Sequence, residues 1–249
     1  MLAETLAYKP QGVTTIQDAE YRLALAHTSR WVVNGENRSK KPESNLAHIN
    51  GMAFIVNEIE EKFPALSKCL SLEAVREMVY FHDAGEIITG DDAVLNDGHE
   101  KNKERRWEKE RIAVGILTRE PHVSDPALRK KLRDIYARYN CCRPEKINEL
   151  TDLESLFTHL VDKIQAGRFG QENVFGDRDN GSISANLIAQ FGSLLYTALP
   201  QDKIEAKREL TKLTRQELSR FKDKGFIQAA DSAWESFSNK VGFNELEAL

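Results

Sequence analysis

Segment after segment of this chain sets apolar residues three and four positions apart, and none sustains an alternation of apolar and polar residues. A core-facing side chain recurs about every 3.6 residues on a helix and every second residue on a strand, so the pattern commits the chain to an all-α fold. Ile49, Met52, Val56, Ile59 and Phe63 make one stripe, and Val75, Met78, Val79 and His82 make the next. The reading predicts helices over residues 15–27 and 43–63, with Pro64 ending the second or lying just beyond it. Ser71 is read as the cap of a third helix. Residues 107–117 read as helical, and Asp125-Pro126 suits the opening of a helix with Leu128, Leu132, Ile135, Tyr136 and Tyr139 on one face. Thr151 and Glu154 have capping-box spacing for a helix starting near Asp152. Gly167, Gly170 and Gly176 read as breaks after it, and residues 171–182 as a mobile loop. Residues 34–42 and 91–102 read as polar loops, and two or three more helices fill 183–249.

Composition narrows the function classes. With 249 residues, 41% hydrophobic and 30% charged, the chain can bury a sizeable core and falls outside the disordered class. Its 35 basic and 39 acidic residues leave a net charge of -4, which gives no general attraction to nucleic acid. The basic clusters at 38–41 and 101–106 are candidates for a small phosphate or a solvated face, and either cluster taken alone reads as a solvated face. No apolar run approaches the eighteen or so residues needed to span a bilayer, and the start lacks the features of a secretory signal. Cys69 stands alone and Cys141-Cys142 are adjacent, so the cysteines read as reduced thiols and the expected location is the cytoplasm.

The chemistry centres on His82-Asp83, at the end of an apolar helical stripe in VYFHDAGEIITGDD. A carboxylate there is costly unless it is paired or bound to a cation. Imidazole nitrogen and carboxylate oxygen both suit zinc, manganese, cobalt or iron. Glu86 follows four residues after His82 and shares its face if the helix continues, which would put a general acid or base beside the metal. His48 flanks the stripe of its own helix, where a lone histidine reads as a core residue satisfied by a neighbour. Asp162 falls opposite the stripe Leu153, Leu156, Phe157, Leu160 and Ile164, with Lys163 as a candidate partner, so helical pattern alone gives it no metal role.

A His on one helix, an adjacent His-Asp on the next and an Asp-Lys on a later helix resemble the HD-domain metal-dependent phosphohydrolases. HDAGEIITGD (residues 82–91), with Arg30-Trp31 upstream, is most similar to their 5'-deoxynucleotidase branch. Ala47 stands where that branch usually has an acid before its first metal histidine. The resemblance implies a single HD-type helical domain, with its core over about residues 20–170 and a C-terminal extension over about 183–249. It implies one divalent ion (manganese, cobalt, zinc or iron) held by His48, His82, Asp83 and Asp162. It makes Glu86 and Asp91 catalytic, with Arg30 clamping the phosphate and Trp31 walling the sugar pocket. The implied activity is removal of the 5'-phosphate from (deoxy)nucleoside monophosphates. The expected partners are a small-molecule nucleotide and a second copy of the chain, with no nucleic acid and no membrane. Three other readings stay open. One is a triphosphohydrolase or other nucleotide phosphohydrolase of the superfamily. Another is a dinuclear-metal oxygenase that would add His99 and His122. The last is a non-catalytic nucleotide-binding module.

Overall fold

A computed structural model describes residues 16–33, 36–37, 39–90, 108, 111–116, 125–139, 152–174 and 178–242. The expected all-α class holds. The described elements are α1 (Ile16–His27), a two-residue hairpin β1 (Val32–Val33) and β2 (Glu36–Asn37), α2 (Asn45–Lys62), α3 (Pro64–Ser67), α4 (Leu72–Phe81) and α5 (Glu86–Thr89). They continue with α6 (Pro126–Tyr139), α7 (Leu153–Asn173), α8 (Arg178–Ala198), α9 (Ile204–Asp223) and α10 (Ile227–Val241). Residues 111–116 are helical as well. No helix among the described residues is long and apolar enough to cross a membrane.

The chain divides into two compact units, one drawn from Met1–Ala53 and Arg76–Glu149 and the other from Phe54–Val75 and Leu150–Leu249. In the first, Thr28 and Arg30 pair with the chain entering α2: Asn45 N donates to Thr28 O at 2.9 Å and Arg30 N to Glu43 O at 2.8 Å. Ser44 caps α2 by accepting from Ala47 N, so the helix starts at Asn45 and not at Glu43. Tyr21 of α1 packs on Tyr80 and Phe81 of α4 at 5.4 and 5.5 Å between ring centres, and its hydroxyl donates to Tyr80 O. Asp125 Oδ1 accepts from Ala127 N and Pro126 opens α6, as the sequence predicts.

In the second unit α8 packs on α7, α9 and α10, and α9 packs on α3 and α10. The helix expected to start near Asp152 is α7, and its cap is Asp152, whose side chain accepts from Ser155 N at 2.9 Å. The Glu154 carboxylate accepts from Ser71 N, and Thr151 lies outside the described residues. One sequence expectation fails here for a physical reason: Gly167 and Gly170 do not break the chain, since α7 runs through both to Asn173. A Cβ on Gly167 would come within 3.1 Å of Phe221 Cζ, so that glycine allows close packing. Of the expected loop over 171–182, residues 171–173 belong to α7 and 178–182 to α8, while residues 175–177, with Gly176, lie outside the described residues. Among the described residues three helices follow α7, at the upper end of the expected number.

Candidate metal centre

The stripe of α4 is buried as its spacing requires, with Val75, Met78 and Val79 at most 1% exposed. It delivers His82 to a buried position just past the helix end. The helix does not continue. Residues 82–85 form a turn, and Glu86 opens the short α5 with its backbone N–H donating to Asp83 O. His48 comes from the first turns of α2, flanked by the buried Ile49 and Met52, and is itself fully buried. The two rings lie 5.5 Å apart between centres, and a nitrogen of each lies within 4.8 Å of one of the other.

Hydrogen bonding fixes what each ring can do. A carbonyl oxygen only accepts, so the 3.0 Å contact of His82 Nδ1 with Val79 O places a proton on Nδ1. His82 Nε2 then faces Asp83 Oδ1 at 3.1 Å, and His48 Nε2 lies 3.7 Å from Asp83 Oδ2. Two acceptors at 3.1 Å repel unless a proton or a metal cation sits at the nitrogen. Ligand atoms held about 2.0–2.2 Å from one ion, a right angle or slightly more apart, are separated by about 3.0–3.5 Å. The His82–Asp83 pair has that spacing, so the donor set fits a divalent ion in both chemistry and separation.

Asp83 is the charge hub of the group. Burial alone would raise its carboxyl pKa, but the His82 ring, the Arg30 guanidinium and His48 outweigh burial and hold it well below the usual carboxylate range. Arg30 donates from Nη1 to Asp83 Oδ2 at 2.7 Å, and its Nε lies 3.8 Å from Glu43 Oε2. Its side chain is only 12% exposed, so it is not a solvated surface cation. Trp31 is buried and takes a left-handed backbone conformation at φ 63°. Its Nε1 donates to Glu43 Oε2 at 2.7 Å.

Of the residues singled out in the sequence, His48, His82, Asp83, Glu86, Arg30 and Trp31 all lie in the first unit, the first three and Arg30 in direct proximity. Asp162 belongs to the second unit, where α7 buries it to 5% exposure beside Lys163 Nζ at 2.5 Å. Ser155 and Thr158, on the side of α7 opposite its apolar stripe, are also fully buried, so that side of the helix is covered as well. Asp91, His99 and His122 lie outside the described residues. Sequence reasoning missed Glu43 and Asn45, both buried. Asn45 Nδ2 donates to Glu86 Oε2 at 2.8 Å. At the start of a helix, Glu, Ser and Asn read as caps or solvated groups. Their real partners are 12 and 41 residues away.

Glu43→Ala leaves the buried Trp31 N–H without this acceptor and takes a carboxylate from beside Arg30. The expected loss is about 1–3 kcal/mol, the cost of stranding a buried polar group, read from the urea midpoint. Glu43→Gln keeps an acceptor for Trp31 and should lose less. An unchanged midpoint for Glu43→Ala would show that the carboxylate supports neither neighbour.

A family model described as an HD domain matches residues 24–177, well over half of the chain. Neither the curated proteins nor the solved structures gave a match. The match takes in the α2 histidine, the His-Asp turn after α4 and the aspartate of α7, and the chain belongs to the HD-domain family.

Proposed function

We propose that this protein is a divalent-metal-dependent phosphohydrolase that removes the 5'-phosphate from (deoxy)nucleoside monophosphates. One ion is held by His48, His82, Asp83 and Asp162. The observation that carries the reading is the His82–Asp83 pair: one ring nitrogen is committed to Val79 O, and the other is aimed at a carboxylate at ligand-to-ligand distance. Asp162 joins the set because it stands in the Asp-Lys position of the family pattern, inside the matched stretch.

A divalent ion in that set supplies a Lewis acid for a phosphate oxygen and a more acidic water. The remaining work falls to the chain. Asp83 sets the charge that a cation requires. Arg30 presents a planar, permanently charged fork beside the site, suited to phosphate oxygens. Glu86, anchored by Asn45, moves the proton between water and the leaving oxygen. Trp31 walls the sugar pocket, and Asp91 orients the nucleophile or contacts the sugar. The nucleotide branch rests on HDAGEIITGD and Arg30-Trp31. Two copies of the chain would form the working particle.

The test is inorganic phosphate release from 5'-ribo- and deoxyribonucleoside monophosphates and triphosphates, after chelation and re-addition of manganese, cobalt, zinc or iron. Release from deoxynucleoside monophosphates that needs added metal supports the reading. Release of intact triphosphate from the triphosphates replaces it with a triphosphohydrolase. Glu86→Ala should keep its bound metal and turn over about a hundredfold more slowly, as expected for a lost acid–base group. A variant as fast as the parent removes Glu86 from the chemistry.

A further inference from the structure

We infer that Asn45 is a positioning residue that holds the Glu86 carboxylate in its working orientation. The inference rests on the proposed role of Glu86 as the proton-handling group. Asn45 is the first residue of α2 and is 0% exposed. Its backbone is fixed by the bond from its N–H to Thr28 O, next to the pairing of Arg30 with Glu43. Its side-chain Nδ2 reaches 41 residues along the chain to Glu86 Oε2 at 2.8 Å. A carboxylate only accepts, so the amide nitrogen must face it, and the orientation of the Asn45 amide is set by Glu86.

The other end of that amide argues against a purely structural role. Asn45 Oδ1 is buried and has no hydrogen-bond partner among the described residues. A half-satisfied buried amide costs stability that an apolar residue of similar size would not. The bond its side chain makes goes to Glu86, on the mobile end of a side chain with three rotatable bonds. Glu86 opens a helix of only four residues and is half-buried, so its own element restrains it weakly. One turn after Asn45, the same helix supplies His48. The start of α2 thus places a metal-ligand candidate and the tether of the acid–base group within three residues, and their relative geometry is set by one stretch of backbone.

The test pairs a double-mutant cycle with a spectroscopic measurement on the full chain. In the metal-loaded parent, Asn45→Ala is expected to lower kcat by about 10- to 100-fold, the worth of one hydrogen bond to a charged group. KM and bound manganese per chain should stay unchanged. In the Glu86→Ala background the same substitution should have no further effect on kcat. Asn45→Asp, nearly the same shape but acceptor-only when ionised, should fail to rescue. It also serves as the second variant if Asn45→Ala does not fold. Independently of turnover, the Asn45 side-chain amide resonances in the 15N-labelled protein should move when Glu86 is replaced by Ala. Equal kcat losses in both backgrounds, parent-like kcat in Asn45→Ala, or amide resonances indifferent to Glu86→Ala would each overturn the inference. Absence of phosphate release from every nucleotide and metal sinks the hydrolase reading instead. The amide resonances would then decide whether the Asn45–Glu86 tether exists.

Discussion

Asp83→Ala is expected to yield protein that retains no stoichiometric divalent metal and releases no phosphate from any nucleotide. The carboxylate lies 3.1 Å from His82 Nε2, 3.7 Å from His48 Nε2 and 2.7 Å from Arg30 Nη1. Removing it deletes a proposed ligand and also inverts the local field. The Arg30 guanidinium would remain beside two imidazoles, with Glu43 at 3.8 Å as the nearby acid, and a dication entering there would meet a positive charge. Ligand loss and repulsion act in the same direction, so the effect should exceed that of losing a single hydrogen bond. Arg30 is largely buried, and stripping away its partner also carries a stability cost. Asp83→Asn separates the two effects. It keeps the shape and some hydrogen bonding but loses the charge, and should fold better than Asp83→Ala while still failing to hold metal. Elemental analysis of dialysed protein and phosphate release from deoxynucleoside monophosphates check both variants. Full activity in either would end the four-ligand model.

What could be read in advance follows from what periodicity encodes. The stripes of α2 and α4 are determined by burial, and burial repeats with the helix, so Ile49 through Phe63 and Val75 through His82 were legible. Motif resemblance carried the nomination of His48, which by periodicity alone reads as a core histidine. The helix limits were less legible because they turn on single hydrogen bonds. Ser44 caps α2 through one bond from Ala47 N, and Asp152 caps α7 through one bond from Ser155 N. Gly167 misled for the opposite reason: its value lies in the close approach of Phe221, 54 positions later, which no local rule can register. Glu43 and Asn45 share that property. Each is polar at a helix entrance, where a solvated cap is the ordinary reading, and each is buried because of a partner brought near by the fold. The polar residues that escaped the sequence reading were thus those whose partners are remote in sequence.

The same distinction applies within the second unit, where Arg168→Met is expected to destabilise the protein by about 3–5 kcal/mol, the usual cost of breaking a buried ion pair from one side. Arg168 of α7 makes a two-pronged bond to Glu217 of α9, at 2.9 and 2.6 Å, and reaches Glu58 of α2 at 2.8 Å. Glu217 is 1% exposed, so the loss leaves a buried carboxylate with Arg220 Nε at 3.2 Å as its nearby cation. Glu58 fares better, since Lys62 lies 2.9 Å away. The cost should therefore fall mainly on Glu217, and Arg168→Met combined with Glu217→Met should recover much of the stability, because apolar groups of similar size replace a buried pair at little net cost. The pH dependence gives an independent check. Burial would raise the Glu58 pKa, but the hydrogen bonds from Arg168 and Lys62 outweigh it and the pKa is lowered. A carboxylate whose pKa is depressed in the folded state stabilises the fold above its unfolded value, and that contribution is lost as pH falls through the folded value. Urea midpoints of the parent should therefore fall on acidification below the ordinary glutamate range, with a shallower fall in Arg168→Met. Equal acid slopes, or a double variant no more stable than Arg168→Met, would show that the network does not carry the stability of this unit.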